Sequence, residues 1–334
     1  MGGLVLVNCA PARHLVTIEA DRRCRGLSRR VPALSPSFDG HSMRSWTSNP
    51  RPPPPPIPAA PSSSSLPAPL ASLDLEVPHP DAKLEDSINE IWNQRIGKNS
   101  SLYNGQKFRY GASILHMGNG VDRESSVCLH LGLTDYRTFV GTNLNPSWEM
   151  FLIPSEDDTI HCQHTSSPLG NGAVVETSDK KILVLQRSNN VGEFPGYFVF
   201  PGGHSEPLEV GISAHQAENS EVINRKVSQE MFDGIIREVV EEIGVPSHSL
   251  TEPVFIGISR RDLNVRPTAF FFVNCNLESS EIHQLYSKAQ DGYESTQLYA
   301  VLKDDLAEMS LKMPGCHRGG HALYELMMNR KDIG

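Results

Sequence analysis

The stretch Arg237-Glu238-Val239-Val240-Glu241-Glu242-Ile243-Gly244-Val245 decides the fold of this 334-residue chain. On a helix, positions 238, 241 and 242 stand at i, i+3 and i+4, so three carboxylates share one face. Like charges at that spacing cost roughly 0.2–0.5 kcal/mol per pair, and an ordinary surface helix interleaves Lys. Here only Arg237 is adjacent. Taken alone, three clustered acids read as a solvated stripe rather than a metal site. Oxygen-rich groups of this kind suit Mg²⁺ or Mn²⁺. The other face, with Ile236, Val239 and Ile243, is apolar and can pack on a sheet, which would hold the carboxylates rigidly. Gly244 ends the helix and Pro246 closes it off.

Working outward, the periodicity predicts helices over 84–96, 135–140, 147–153, 227–243, 278–288 and 320–330. It predicts strands over 107–117, 126–133, 172–176, 181–187, 253–259, 268–275 and 295–302. Strands 172–176 and 181–187 pair around the turn Ser178-Asp179-Lys180, Val199-Phe200 leads into Pro201-Gly202-Gly203, and a loop runs from 205 to about 226. Strands and helices mix without strict β-α-β alternation, so an α+β fold or an α/β sandwich fits best. Near the start, Leu4–Val7 and Leu15–Ile18 read as a hairpin of two short strands. Residues 50–69 hold ten Pro and four Ser. Such a stretch cannot build a core and reads as solvated, polyproline-like linker.

Composition narrows the classes. The formal net charge is −9, but it is uneven: residues 1–75 hold eight Arg, no Lys and four acids, leaving 22 cationic and 35 acidic side chains in the rest. A protein this acidic is not expected to bind nucleic acid through its phosphates. If it handles small phosphates, it needs added positive charge, and a divalent metal is the simplest source. No apolar run approaches the ~18 residues of a membrane helix, so no membrane partner is expected. Six Cys without a C-x-x-C pair read as reduced thiols. The expected location is the cytoplasm, or an organelle if the Arg- and Ser-rich residues 1–75 act as a transit peptide.

The 237–245 stretch matches R-E-U-x-E-E-x-G-U (U a bulky aliphatic), the second half of the Nudix hydrolase signature. A chance match is rarer than about one in ten thousand at average composition. Gly203 and Glu209 fit the G-x5-E half, after Pro201-Gly202. The departure is an insertion of about twenty residues within 210–236, which leaves Glu230 as an alternative to Glu209. The segments Leu131–Arg137, Phe139, Gly141-Thr142-Asn143, Lys107-Phe108-Arg109, His204 and Tyr293-Glu294-Ser295-Thr296 resemble a Nudix subgroup that includes an animal UDP-sugar diphosphatase and a plant Nudix hydrolase.

That resemblance implies the Nudix fold, a mixed-sheet α/β/α sandwich with a smaller N-terminal α/β subdomain. The expected division is 1–22 as the hairpin of the first subdomain, 23–75 as a disordered Pro/Ser/Arg-rich insertion, 76–165 as the N-terminal subdomain and 166–334 as the Nudix hydrolase domain. It implies Mg²⁺ (or Mn²⁺) held by Glu238, Glu242, Glu241 and the Gly203 carbonyl, with Arg237 orienting a Glu. It implies Glu294 as the general base, and Tyr103, Tyr136, Arg187, His204, Glu206 and Cys316 as substrate contacts. The expected reaction splits a small nucleotide-sugar, UDP-glucose or UDP-galactose, into UMP and sugar 1-phosphate. ADP-ribose or a dinucleotide is the alternative substrate, and nucleotide binding without turnover the alternative of another class. Oligomeric state is not legible.

Overall fold

A computed structural model describes residues 5–12, 16–20, 78–100, 102–116, 126–153, 162–189, 191, 193–213, 221–286 and 295–331, all within one compact unit. The insertion expected over 23–75 lies outside the described residues. In chain order the elements are β1 (Val5–Ala12), β2 (Val16–Ala20), α1 (Ala82–Lys98), β3 (Gln106–His116), β4 (Ser126–Asp135), α2 (Tyr136–Gly141), β5 (Gly170–Glu176), β6 (Ile182–Arg187), β7 (Phe198–Val199), α3 (Glu221–Ile243), β8 (Val254–Arg260), β9 (Pro267–Asn274), α4 (Ser279–Tyr286), β10 (Ser295–Val301), α5 (Lys303–Ser310) and α6 (Gly315–Lys331).

The larger sheet runs β1-β8-β9-β5-β6-β10, with β7 on β6. It is mixed: β5 and β9 are parallel, whereas β8 and β9, and β6 and β10, are antiparallel. Side-chain alternation splits its residues between two cores. Ala173, Val175, Leu183, Leu185, Phe271 and Val273 pack in one core with Val227, Met231, Ile235, Val239 and Ile243 of α3. Those five α3 residues recur every fourth position, forming one stripe. At roughly 1.5–3 kcal/mol per fully buried apolar side chain, that stripe fastens the helix to the sheet. Val174, Ile182, Val184, Phe270 and Phe272 face the other core, with Leu306 of α5 and Leu323, Tyr324 and Met327 of α6. The result is the expected α/β/α sandwich.

A smaller sheet, β2-β4-β3, joins the first through β3. The Tyr110 amide donates to the Ser167 carbonyl at 3.0 Å, and the Leu169 amide to the Phe108 carbonyl at 2.8 Å. The buried Arg109 guanidinium donates to the Cys162 and Thr165 carbonyls and pins that connection. Asn143 ties the same segment to the turn after β8: its Oδ1 accepts from the Ser167 amide and its Nδ2 donates to the Asn264 carbonyl at 2.8 Å. Helix α1 starts at an N-cap, Asp81, whose side chain accepts from the Lys83 amide. It buries Leu84, Ile88 and Trp92.

Several expectations need correction. The opening strands do not form a hairpin: β1 pairs antiparallel with β8 in the larger sheet, and β2 pairs parallel with β4 in the smaller. Alternation says that a segment is a strand but not which edge it joins. Helix α3 begins at Glu221 rather than 227. Its first turns contain no Gly or Pro, and Glu221 and Arg225 pair at 2.9 Å one turn apart. Helix α6 begins at Gly315 rather than 320, and α5 was not expected at all. The Gly-rich run Gly315-Cys316-His317-Arg318-Gly319-Gly320 has poor helix propensity, but packing overrides it. A Cβ on Gly320 would meet the Phe270 ring, so the glycine lets the helix lie close on β9. The short helix expected over 147–153 is one 3₁₀ turn, Trp148–Phe151.

Candidate active site

Helix α3 carries its acidic face to the loop Gly202-Gly203-His204. The Gly202 amide donates to Glu242 Oε2 at 2.8 Å, and the His204 amide to Glu238 Oε1 at 3.1 Å. This approach requires glycine. A Cβ on Gly202 would meet the backbone of Asn171 and Gly172, and one on Gly203 would run into the Glu238 carboxylate. The Gly203 carbonyl accepts from the Asn171 amide at 2.9 Å. Glu238 and Glu241, both half-buried, are not among the residues that line the cleft described below, whereas Glu242 is. Among the described residues, no group of three or more His, Cys, Asp or Glu side chains is arranged to hold a metal ion. The donor set still fits a hard dication: carboxylates and a carbonyl, brought together by a side-chain-free loop.

Arg237 turns away from these carboxylates. Its guanidinium meets the buried Glu230 at 2.6 Å, and Glu230 Oε1 also accepts from the Glu206 amide. This ion pair raises the Arg237 pKa above its ordinary value. Glu209 stands exposed on the 3₁₀ turn Pro207–Val210. Glu230 therefore occupies the position beside Arg237 that the box spacing would give Glu209, because the insertion extends α3 backward by two turns.

A cleft of about 300 Å³ opens beside the Gly202-Gly203 loop. Glu242, Gly203, His204, Arg187, Tyr136 and Cys316 all line it, so six of the residues expected from the sequence meet here. Glu193, Arg261, Arg266 and His317 line it too. Arg261 donates to Glu193 Oε1 at 2.5 Å and Arg266 to Glu193 Oε2 at 3.0 Å. Burial pushes the Glu193 carboxyl up, but Arg266 and Arg261 outweigh it and hold the group below the ordinary carboxylate range. The Arg261 guanidinium also lies over the Phe194 ring at 4.9 Å, and its Nε donates to Asn264 Oδ1. Asn264 and Val265 both have φ near +50°, a strained turn that sets Arg261 and Arg266 side by side.

Both cleft histidines are neutral. Burial, then Arg266 and Lys107, push His204 well below 6.5, so its Nε2 accepts from Arg266 at 2.7 Å. Burial, then Arg187, Arg266 and Arg261, lower His317 to about 3. Its Nδ1 accepts from the Phe200 amide at 3.1 Å, which leaves the proton on Nε2.

A second hollow of about 280 Å³ shares Lys107 and Tyr136 with the cleft and adds Tyr103, Gln106, Glu206 and Leu208. Tyr136 packs edge-on against Trp92 at 5.9 Å, whereas Tyr103 is exposed. Glu206 pairs with Lys107 at 3.1 Å. Two expected contacts, Tyr103 and Glu206, thus stand in this neighbouring hollow. Glu294 lies outside the described residues.

Sequence reading missed Glu193, Arg261, Arg266, His317 and Asn171. The one legible signal was the density of arginines in Arg260-Arg261-Asp262-Leu263-Asn264-Val265-Arg266, a strand connection too polar for plain packing.

A helix face of carboxylates thus stands against a glycine pair, beside a cleft that Arg187, Arg261 and Arg266 line. The chain is 63% identical over 259 residues to Nudix hydrolase 9 of Arabidopsis thaliana, covering 76% of this chain and 83% of that protein. It is 32% identical over 224 residues to the uridine diphosphate glucose pyrophosphatase NUDT22 of Homo sapiens, covering 65% of this chain and 72% of that protein. The chain belongs to the Nudix hydrolase family and is a hydrolase. No family model matches it. Similar solved structures include a MutT protein from Methanosarcina mazei Go1 (18% identity, TM-score 0.32, 49% of this chain and 94% of that one). An Ap4A hydrolase binary complex from C. elegans is another (15%, 0.30, 49% and 98%). Among the described residues, no helix is long and apolar enough to cross a membrane.

Proposed function

We infer that this hydrolase cleaves the diphosphate of a nucleoside-diphosphate sugar, UDP-glucose or UDP-galactose, to give UMP and sugar 1-phosphate. One observation carries the reading: Glu242 and Gly203 line the same cleft of about 300 Å³ as Arg187, Arg261 and Arg266. The similarity to uridine diphosphate glucose pyrophosphatases supports the choice of nucleotide sugar.

In this reading the three guanidiniums bind the diphosphate oxygens, where bidentate donation both orients and neutralises them. His317, held as the Nε2–H tautomer, adds a neutral donor. Asn171 supports the glycine loop: its amide reaches the Gly203 carbonyl and its side chain donates to Ser205 Oγ at 2.7 Å. Tyr136 and Tyr103 offer aromatic surface to the base in the second hollow. Glu238, Glu242 and Glu241 with the Gly203 carbonyl would hold Mg²⁺, and Mn²⁺ would substitute. That ion supplies Lewis-acid polarisation of the phosphates. Water attacks one phosphorus, a new P–O bond forms, and the bridging P–O bond breaks. Glu294 is the candidate base for the water's proton.

A panel of UDP-glucose, UDP-galactose, ADP-ribose and a dinucleoside polyphosphate, with Mg²⁺ and with a chelator, tests this. UMP released from a UDP-sugar only with metal is the expected result. Preferred turnover of ADP-ribose or the dinucleotide replaces the substrate, and binding without product removes the reaction.

A further inference from the structure

Nothing in the binding of a diphosphate calls for Glu193. It puts a carboxylate into a space meant for anions. Its two oxygens are divided between Arg261 and Arg266, and its carbonyl accepts from Arg187 Nε at 2.9 Å. One residue thus touches all three guanidiniums of the cleft. Two of the arginines are held by further partners: Arg261 by Asn264 and the Phe194 ring, Arg266 by His204. Arg266 Nε is buried and has no partner among the described residues. The clasp therefore fixes where the cleft's guanidiniums stand.

The charge is as informative as the geometry. The four cations that line the cleft, Lys107, Arg187, Arg261 and Arg266, less the two carboxylates Glu193 and Glu242, leave two positive charges. A diphosphate esterified at both ends carries two negative charges at neutral pH. A nucleoside diphosphate with a free end carries more, because a terminal phosphate loses its second proton near pH 6. At a few ångströms, one unit of charge in a partly buried site changes an interaction by several-fold or more in affinity.

We propose that Glu193 is a positioning residue that trims the arginine cradle so that it prefers a diphosphate capped at both ends over one with a free terminal phosphate. The proposal rests on the reading that the diphosphate lies in this cleft. It concerns which anion is held, not which base or sugar is attached.

The test measures dissociation constants of the full chain for UDP-glucose and UDP by titration calorimetry, with Ca²⁺ in place of Mg²⁺ so that ligand is not consumed. Glu193→Gln keeps the shape and removes one negative charge, and it should move the UDP-glucose to UDP preference toward UDP by about fivefold or more. Glu193→Asp keeps the charge and should stay within about twofold of the wild-type preference. A Glu193→Gln ratio within twofold of wild type overturns the proposal, as does an equal shift in both variants. Arg261→Gln lowers the charge by one and should move the ratio the other way. It decides the matter if circular dichroism shows that Glu193→Gln does not fold, and an unmoved ratio there is fatal. Repeating the ratio with ADP-ribose against ADP separates this result from the substrate reading. Failure of UDP-glucose turnover would leave the capped-against-free preference measurable.

Discussion

Glu230 Oε1 lies 2.6 Å from Arg237 Nη2, two helical turns away on α3. The carboxylate is buried and the guanidinium about one-third exposed. Removing the acid strands a partly buried cation and also deprives the Glu206 amide of its acceptor. Glu230→Ala should therefore cost about 2 kcal/mol, toward the lower side of a broken buried pair because Arg237 still reaches solvent. Glu209→Ala should stay within about 0.5 kcal/mol, as expected of an exposed site. Urea unfolding of both variants checks the contrast, and a larger loss for Glu209→Ala would return the partnership to the family's usual spacing.

Glu242→Gln keeps an oxygen for the Gly202 amide and removes a charge from the acidic face. The protein should melt at nearly the wild-type temperature, while metal-dependent turnover falls by about a hundredfold or more. Losing a metal ligand removes several kcal/mol of transition-state stabilisation. Activity surviving within about tenfold would remove Glu242 from the metal set.

The two glycines of the loop should respond differently. A Cβ on Gly203 meets a side-chain carboxylate, Glu238, with Oε2 at 2.5 Å, and that group can swing aside. Gly203→Ala should thus lose less than about 1 kcal/mol of stability but displace Glu238 and weaken Mg²⁺ binding. A Cβ on Gly202 meets backbone, with Gly172 Cα at 2.8 Å, and backbone cannot swing aside. Gly202→Ala should cost about 2 kcal/mol or more. Chemical denaturation together with metal titration reads both effects.

His317 makes stability fall with acid. Its folded-state pKa is lowered to about 3, whereas the unfolded chain takes up that proton near 6.5. Its contribution is whole above about pH 6.5 and is lost as pH falls toward about 3. Over that window the slope is up to about 1.4 kcal/mol per pH unit from this one proton. His204, also lowered, adds in the same sense. Stability measured from pH 7 to 4 should show the decline, and His317→Asn should flatten it by about one proton. An unchanged slope in the variant would place the titration elsewhere.

Deleting 26–72 should leave kcat/KM within about twofold. Among the described residues, every one that lines the cleft falls between Lys107 and His317. A large loss of kcat on deletion would assign the segment a part in catalysis.

The sequence by itself determined the local parts of this protein. The carboxylate face of α3, the glycine pair and the strand alternation all depend on spacings of a few residues. Those spacings carry the same geometry wherever a helix or strand forms. Family membership followed from them, as did the two-faced sheet. Tertiary structure decided the partners. It sent β1 and β2 to different sheets, gave Arg237 its Glu230, and gathered Arg187, Glu193, Arg261, Arg266 and His317 around one cleft. These residues come from β6, the loop after it, the β8–β9 connection and α6, and they meet only because the strand order brings β6, β5, β9 and β8 side by side. Such contacts come from burying two apolar faces at once, a property of the whole sheet that no short window of sequence contains.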